Sequence, residues 1–186
     1  MGPSSEAESH GNERRVLGAV RRLAGARRLP PGAAHLGLDE GECAVLLEQV
    51  GEPGPHAASP PAEAAPAPLL PALIALLWRH RAGEDAWTRL MAGAIGSACF
   101  GERHLWQDLD LFGRGEVSAL LERHFPDLAA GNTRGLRWKR YLFLRLGDEL
   151  GIDDLAPPRC DGCGDFRVCF PAQEDQAVAV AIRAVR

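Results

Sequence analysis

The sequence predicts an all-α fold: a small helical domain with an irregular C-terminal cysteine-rich loop of metal-binding type. Three observations lead there. Aromatic residues make up only 6% of the chain, so the core must be built mainly from Leu, Ala and Val, a mixture that suits helices. Apolar side chains recur at helical spacing in segment after segment. Of the 5 cysteines, Cys160, Cys163 and Cys169 fall within ten residues of one another, whereas Cys43 and Cys99 stand alone.

With 186 residues the chain fits one compact domain with flexible ends, or one domain and a small appendage. A formal net charge of −4 argues against a protein that coats nucleic acid through its overall charge. The longest apolar run, 69–78, carries Pro71 and falls well short of the roughly 20 residues that span a bilayer. The polar start and the arginine pairs behind it leave no secretory hydrophobic region. These features read as a cytoplasmic protein without membrane or nucleic-acid partners. A reducing compartment makes the cysteine cluster a metal or redox candidate before a disulfide framework.

Residues 1–12, rich in Ser, Glu and Gly, read as disordered. Over 13–28, Val16, Leu17, Val20, Leu23 and Ala24 form the apolar face of a helix whose other face is arginine. A second helix over 39–50 has an acidic start that suits the helix dipole, and the two make an N-terminal pair over 13–50. Six Pro and six Ala lie between 51 and 68, a composition that reads as an extended linker. Two apolar helices follow over 69–81 and 84–99. The small residues Ala92, Gly93, Ala94, Gly96, Ser97 and Ala98 permit close helix contact. A helix over 115–124 is stopped by Pro126. Asn132 or Thr133 then caps a long segment over 135–150, with Trp138, Tyr141, Leu142, Leu146 and Leu150 on one face. Ala156, Pro157 and Pro158 end regular structure and deliver the chain to the cysteine loop, 155–170. The apolar stretch over 177–185, within a tail of 172–186, fits a strand or a helix equally well.

The loop has the spacing C-x2-C-x5-C. Two residues between thiols let the chain fold back and aim both sulfurs at one metal or at two cluster irons. Gly162 and Gly164 suit a backbone that wraps closely around such a group, and its N–H groups would donate to sulfide or thiolate. Zinc competes for the same thiols, although it needs a fourth ligand and usually a second paired motif. A C-x-x-C redox pair would sit on a βαβ pattern, which is absent, and three unligated thiols remain the plain alternative. No paired carboxylates, nucleophile elbow or phosphate loop point to an enzyme.

Three blocks in fixed order resemble the NifQ family of nitrogen-fixation proteins. The first runs from Ala98 to Leu111 and holds His104, Leu105, Trp106, Gln107, Asp108 and Leu109, similar to the family's H-L-W-Q-D-L signature. The second runs from His124 through Phe125, Pro126, Asp127 and Leu128 to Asn132, then from Leu136 to Tyr141. The third is the cysteine loop, ending in Cys169 and Phe170. The resemblance covers about 69–171, and the N-terminal third contributes nothing to it. It implies a cytoplasmic carrier, not an enzyme, that binds an iron–sulfur cluster of three or four irons, acquires molybdenum from molybdate, and hands it to nitrogenase cofactor assembly proteins.

The family's pattern is C-x4-C-x2-C-x5-C, and here the chain departs from it, because Leu155 stands where the first thiol belongs. A leucine cannot donate to iron. The remaining three thiolates suit a three-iron cluster whose open corner takes molybdenum, or a residue of another block supplies the fourth bond, or the member is impaired. His104, His124 and Cys99 are the candidates for that bond, with Asp108 placed to orient the His104 ring. His104 as a helix cap and Cys99 as a core residue are the plain readings. Arg134, Arg137, Lys139 and Arg140 form a basic group that attracts oxyanions such as molybdate, or else a solvated face. The competing function is a zinc-stabilised helical interaction module.

Overall fold

The computed structural model describes residues 10–54, 68–158, 164 and 166–169, and among these every regular element is helical. In chain order they are α1 (Gly11–Gly25), a 3-10 turn (Ala33–His35), α2 (Glu40–Gln49), α3 (Leu69–Arg79), α4 (Ala86–Ala98), α5 (Leu105–Asp108), α6 (Arg114–His124), α7 (Pro126–Gly131), α8 (Trp138–Leu150) and α9 (Phe166–Cys169). Residues 1–9, the 55–67 stretch of the linker, Cys160, Cys163 and the 177–185 segment lie outside the described residues.

Helix α4 is the centre of the molecule. From Leu90 onward it is apolar or small on every face, so it is stable only when surrounded, and residues from Leu90 to Ala98 are all buried. Helices α1, α2, α3 and α5 and the 3-10 turn all pack on it. The small residues are what permit this approach. A Cβ on Gly93 would stand 2.1 Å from the Leu36 carbonyl oxygen, and one on Gly96 would stand 2.8 Å from Ile74 Cγ1. Helix α2 and α4 itself each start on a carboxylate cap. Asp39 accepts the Glu42 N–H at 2.8 Å, and Asp85 accepts the Thr88 N–H at 3.0 Å, each tying down one of the donors a helix start leaves over.

The N-terminal helices share the same core as the rest. One contiguous apolar cluster runs from Val16 and Leu17 of α1 through Leu47 of α2 to Phe143 and Leu146 of α8. Helix α1 starts at Gly11, inside the stretch expected to be disordered, because Glu13, Val16 and Leu17 find buried partners there. Pro126 does end α6, but it also opens α7 at the first helical position, where its fixed φ and missing N–H do no harm. Helix α8 begins at Trp138, three residues later than the start expected at 135. Asn132 braces the preceding turn instead of capping the helix: its Oδ1 accepts the Leu136 N–H and its Nδ2 donates to the Leu136 carbonyl, both at 2.9 Å. Among the described residues no helix is long and apolar enough to cross a membrane.

The contact at Gly93 sets the first expected outcome. A Gly93→Ala variant forces a methyl group against rigid backbone, and we expect a loss of about 1–3 kcal/mol in urea unfolding, whereas Gly25→Ala, with open space around it, is expected to leave stability unchanged or slightly raised.

Candidate functional site

A cavity of about 390 Å³ opens between the loop before α5, one face of α6 and the start of α8. Its position depends on Asp108, the last residue of α5, which is 1% exposed. A carboxylate buried so completely needs cationic donors. Arg103 donates through its backbone N–H to Oδ2 and through Nε to Oδ1, each at 3.2 Å. Lys139 of α8 donates to Oδ2 at 3.0 Å and also to the carbonyls of Gly101 (3.1 Å) and Arg103 (2.6 Å). All three ammonium hydrogens are therefore used, and α8 is stapled to the α5 loop. Gly101 allows the staple, since a Cβ there would lie 2.3 Å from Asp108 Oδ2.

His104 is the residue that leads into α5 and lines the cavity. Its N–H donates to Gln107 Oε1 at 3.2 Å, and its carbonyl accepts from the N–H groups of Gln107 (2.9 Å) and Asp108 (3.0 Å). The backbone of His104 is thus clamped on both sides. Asp108, expected to orient the ring, takes its position from Arg103 and Lys139. Trp138 Nε1 donates to Ser118 Oγ at 3.0 Å across the cavity wall, and Arg114 and Arg137 contribute positive charge. Cys169, at the end of α9, completes the lining. The structure therefore brings the last thiol of the cysteine loop to the same cavity as His104.

Helix α8 also fixes where that loop departs. The helix ends at Gly151 with φ +67, and the Ile152 N–H returns to the Gly147 carbonyl at 2.9 Å, a left-handed helix end of the Schellman type. A Cβ on Gly147 would lie 2.5 Å from the Ile152 carbonyl oxygen and 2.9 Å from Leu155 Cβ, so only glycine lets the chain fold back against the helix. Buried Arg140 then holds the returning strand of chain through the Asp154 carboxylate and the Leu155 carbonyl, the latter at 3.1 Å. Of the basic group read from sequence, Arg137, Lys139 and Arg140 all line the cavity, and Lys139 and Arg140 are structural ties as well.

A family model described as NifQ matches residues 17–171. The chain belongs to the NifQ family. It is 36% identical over 135 residues to the Protein NifQ homolog of Sinorhizobium fredii, covering 72% of this chain and 53% of that protein. It is 36% identical over 101 residues to Protein NifQ of Azotobacter vinelandii, covering 54% and 52% respectively. To Protein NifQ of Rhodobacter capsulatus it is 32% identical over 149 residues, covering 78% and 81%. The matches thus span about half the length of the first two relatives. No solved structure matches the chain.

The NifQ match begins inside α1, some fifty residues ahead of the 69–171 stretch over which the sequence blocks were read, so the N-terminal third, expected to contribute nothing, belongs to the match, and here α1 and α2 share the core. His124 also belongs to this packing. It is 3% exposed, with Nδ1 2.9 Å from Thr88 Oγ1 and Nε2 3.1 Å from Glu13 Oε1. Thr88 Oγ1 donates in turn to the Asp85 carboxylate at 2.7 Å, so both ring nitrogens of His124 are engaged by side chains of α1 and α4. His124, one of the metal-ligand candidates, thus sits in the core packing and is not among the residues that line the cavity. Cys99 is fully buried in the core cluster. Cys43 is buried too, and burial pushes its thiol up from the ordinary 9.0. Among the described residues no group of three or more His, Cys, Asp or Glu side chains is gathered as a metal site, and Cys160 and Cys163 lie outside them.

Two outcomes follow from these ties. Removing the cation of the staple leaves Asp108 buried with its charge poorly matched, so Lys139→Met is expected to cost about 3–5 kcal/mol, and adding Asp108→Asn to recover part of that loss in urea unfolding. The Glu13 carboxyl feels burial pushing it up, but the hydrogen bond from His124, a backbone N–H and the charges of Arg123 and His124 outweigh this and hold it below its ordinary 4.5. Its contribution is then fully present above about pH 4.5 and lost as pH falls through the lower folded value. Unfolding midpoints measured against pH are expected to drop steeply in acid for the native chain and less steeply for Glu13→Gln.

Proposed function

We propose that this chain carries molybdenum and an iron–sulfur cluster as cargo and supplies molybdenum for assembly of the nitrogenase iron–molybdenum cofactor. It acts as a carrier in the cytoplasm, not as an enzyme, and its partners are a molybdate or molybdenum source and nitrogenase cofactor assembly proteins. The observation that carries this reading is the shared cavity of Cys169 and His104, which joins the cysteine loop to the H-L-W-Q-D-L block. Family membership supports the nitrogen-fixation role.

The chemistry of the donors fits the cargo. Thiolate is the protein ligand of iron–sulfur clusters, and imidazole suits iron as well. Cys160 and Cys163 stand nine and six residues before Cys169 in the sequence, close enough in the chain to join it around one cluster. Molybdate is a dianion, and Arg114 and Arg137 in the lining favour oxyanions over cations. Lys139 and Arg140 line the same cavity and add to its positive charge while tying its frame together.

Anaerobic reconstitution with iron and sulfide, followed by metal analysis, tests the reading. The native chain is expected to turn brown and hold iron, Cys163→Ala and Cys169→Ala to lose it, and Cys43→Ala to keep it. A colourless chain without iron, or stoichiometric zinc that iron does not displace, would contradict the carrier role. In a nitrogen-fixing strain lacking its own family member, rescue at limiting molybdate is expected, and rescue by Leu155→Cys alone would identify the native chain as impaired.

A further inference from the structure

Phe112, in the turn between α5 and α6, is 80% exposed, the most exposed of the large hydrophobic side chains among the described residues. The turn that carries it is well tied. Asp110 bends the chain at φ +56, the Leu111 N–H returns to the Trp106 carbonyl at 2.8 Å, and the Leu111 side chain is buried. The Phe112 N–H then donates to Glu116 Oε2 at 2.7 Å. A fixed backbone therefore holds the ring out in water, the condition under which an aromatic anchor loses least freedom on meeting a partner.

Positive charge meets the ring from α1. The Arg15 guanidinium lies 4.3 Å from the ring centre, and its Nη1 is buried with no hydrogen-bond partner among the described residues. A guanidinium nitrogen sealed from water without an acceptor is costly, and a carboxylate brought to it removes that cost. Acids along the same seam already meet donors: Asp110 pairs with Arg22 at 2.8 Å, Glu102 with Arg28 at 3.2 Å, and Glu116 holds the Phe112 N–H. The Arg15 cation is thus in surplus, on a chain whose net charge is −4. The seam also borders the cargo cavity, since Glu102 and Arg114, two residues after Phe112, both line it.

We propose that Phe112 and Arg15 form the centre of a docking face for an acidic surface of another protein, which receives the phenyl ring in an apolar recess and brings a carboxylate to the Arg15 guanidinium. Aromatic and arginine side chains are the types that carry most binding energy at protein interfaces. Charge complementarity selects this occupant, because a second copy docked by the same face would set arginine against arginine across the contact. The inference rests on the carrier reading above for its purpose: a protein seated on Phe112 lies beside the cavity and is placed to give or take the cargo.

The test uses the full-length chain with the photoreactive substitution Phe112→benzoylphenylalanine, expressed in a nitrogen-fixing strain that lacks its own family member and irradiated in living cells. The expected product is a cross-link to a different protein through a peptide that contains Asp or Glu, with a yield that drops roughly tenfold when Arg15→Gln is added. Phe112→Ala is expected to keep its circular dichroism and its iron on anaerobic reconstitution, yet to need about tenfold more molybdate for rescue, and Phe112→Trp to restore rescue. The proposal is overturned, with the carrier reading left standing, by any of four results: no cross-link, a cross-link only to the chain itself or to a second copy, a yield that Arg15→Gln does not lower, or rescue by Phe112→Ala at the native molybdate level. A native chain that takes up no iron overturns the carrier reading, and with it the handover role of this face.

Discussion

The carboxylate of Asp108, sealed from water and met by Arg103 and Lys139, is the interaction on which the site depends. A lone buried charge of this kind is costly by several kcal/mol, and the fold offsets that cost by drawing the start of α8 onto the loop before α5. Gly101 leaves the space, and two backbone carbonyls take the rest of the Lys139 ammonium. The cavity is the gap left between these stapled elements and α6. Without the staple, His104 and the residues of α8 that face it would have no fixed relation, because α5 has only 4 residues and cannot hold itself in place.

The second anchor starts from the same turn of α8. Arg140, one residue after Lys139, reaches a different segment and grips the chain as it returns from the far end of the helix at Asp154 and Leu155. Adjacent residues on a helix point about 100° apart, so a Lys and an Arg in sequence serve two separate segments from one rigid rod. The cysteine loop thus departs from a fixed point and comes back, at Cys169, to the cavity the first anchor defines. Leu155 is part of that anchor, and its loss of the thiol chemistry leaves its structural task intact.

Local pattern made the long helices legible. The apolar spacing of α1, α3 and α8, the small residues of α4 and the acidic starts at Asp39 and Asp85 all act within a few residues of themselves. The short elements were opaque for the same reason: α5 and α7 are shorter than any periodic window, and Pro126 reads as a stop unless the next segment is known to restart. Side-chain roles were legible only where chemistry is intrinsic. Cys169 and His104 stand out as donors by type, and the structure brings them to one cavity. His124 looked similar, but its partner Glu13 lies 111 residues away, and no spacing rule reaches that far. Likewise the Arg137–Arg140 basic group reads as one patch, yet Lys139 and Arg140 are committed to partners 31 and 14 residues distant.

The central claim is that the cavity between α5, α6 and α8 is where the metal cargo sits. X-ray absorption at the molybdenum and iron edges of the chain, loaded anaerobically with iron, sulfide and molybdate, tests it most directly. The account predicts molybdenum with sulfur and iron neighbours in the native chain, lost on Cys169→Ala. Molybdenum surrounded by oxygen alone in the native chain, or a spectrum that Cys169→Ala does not change, would contradict it.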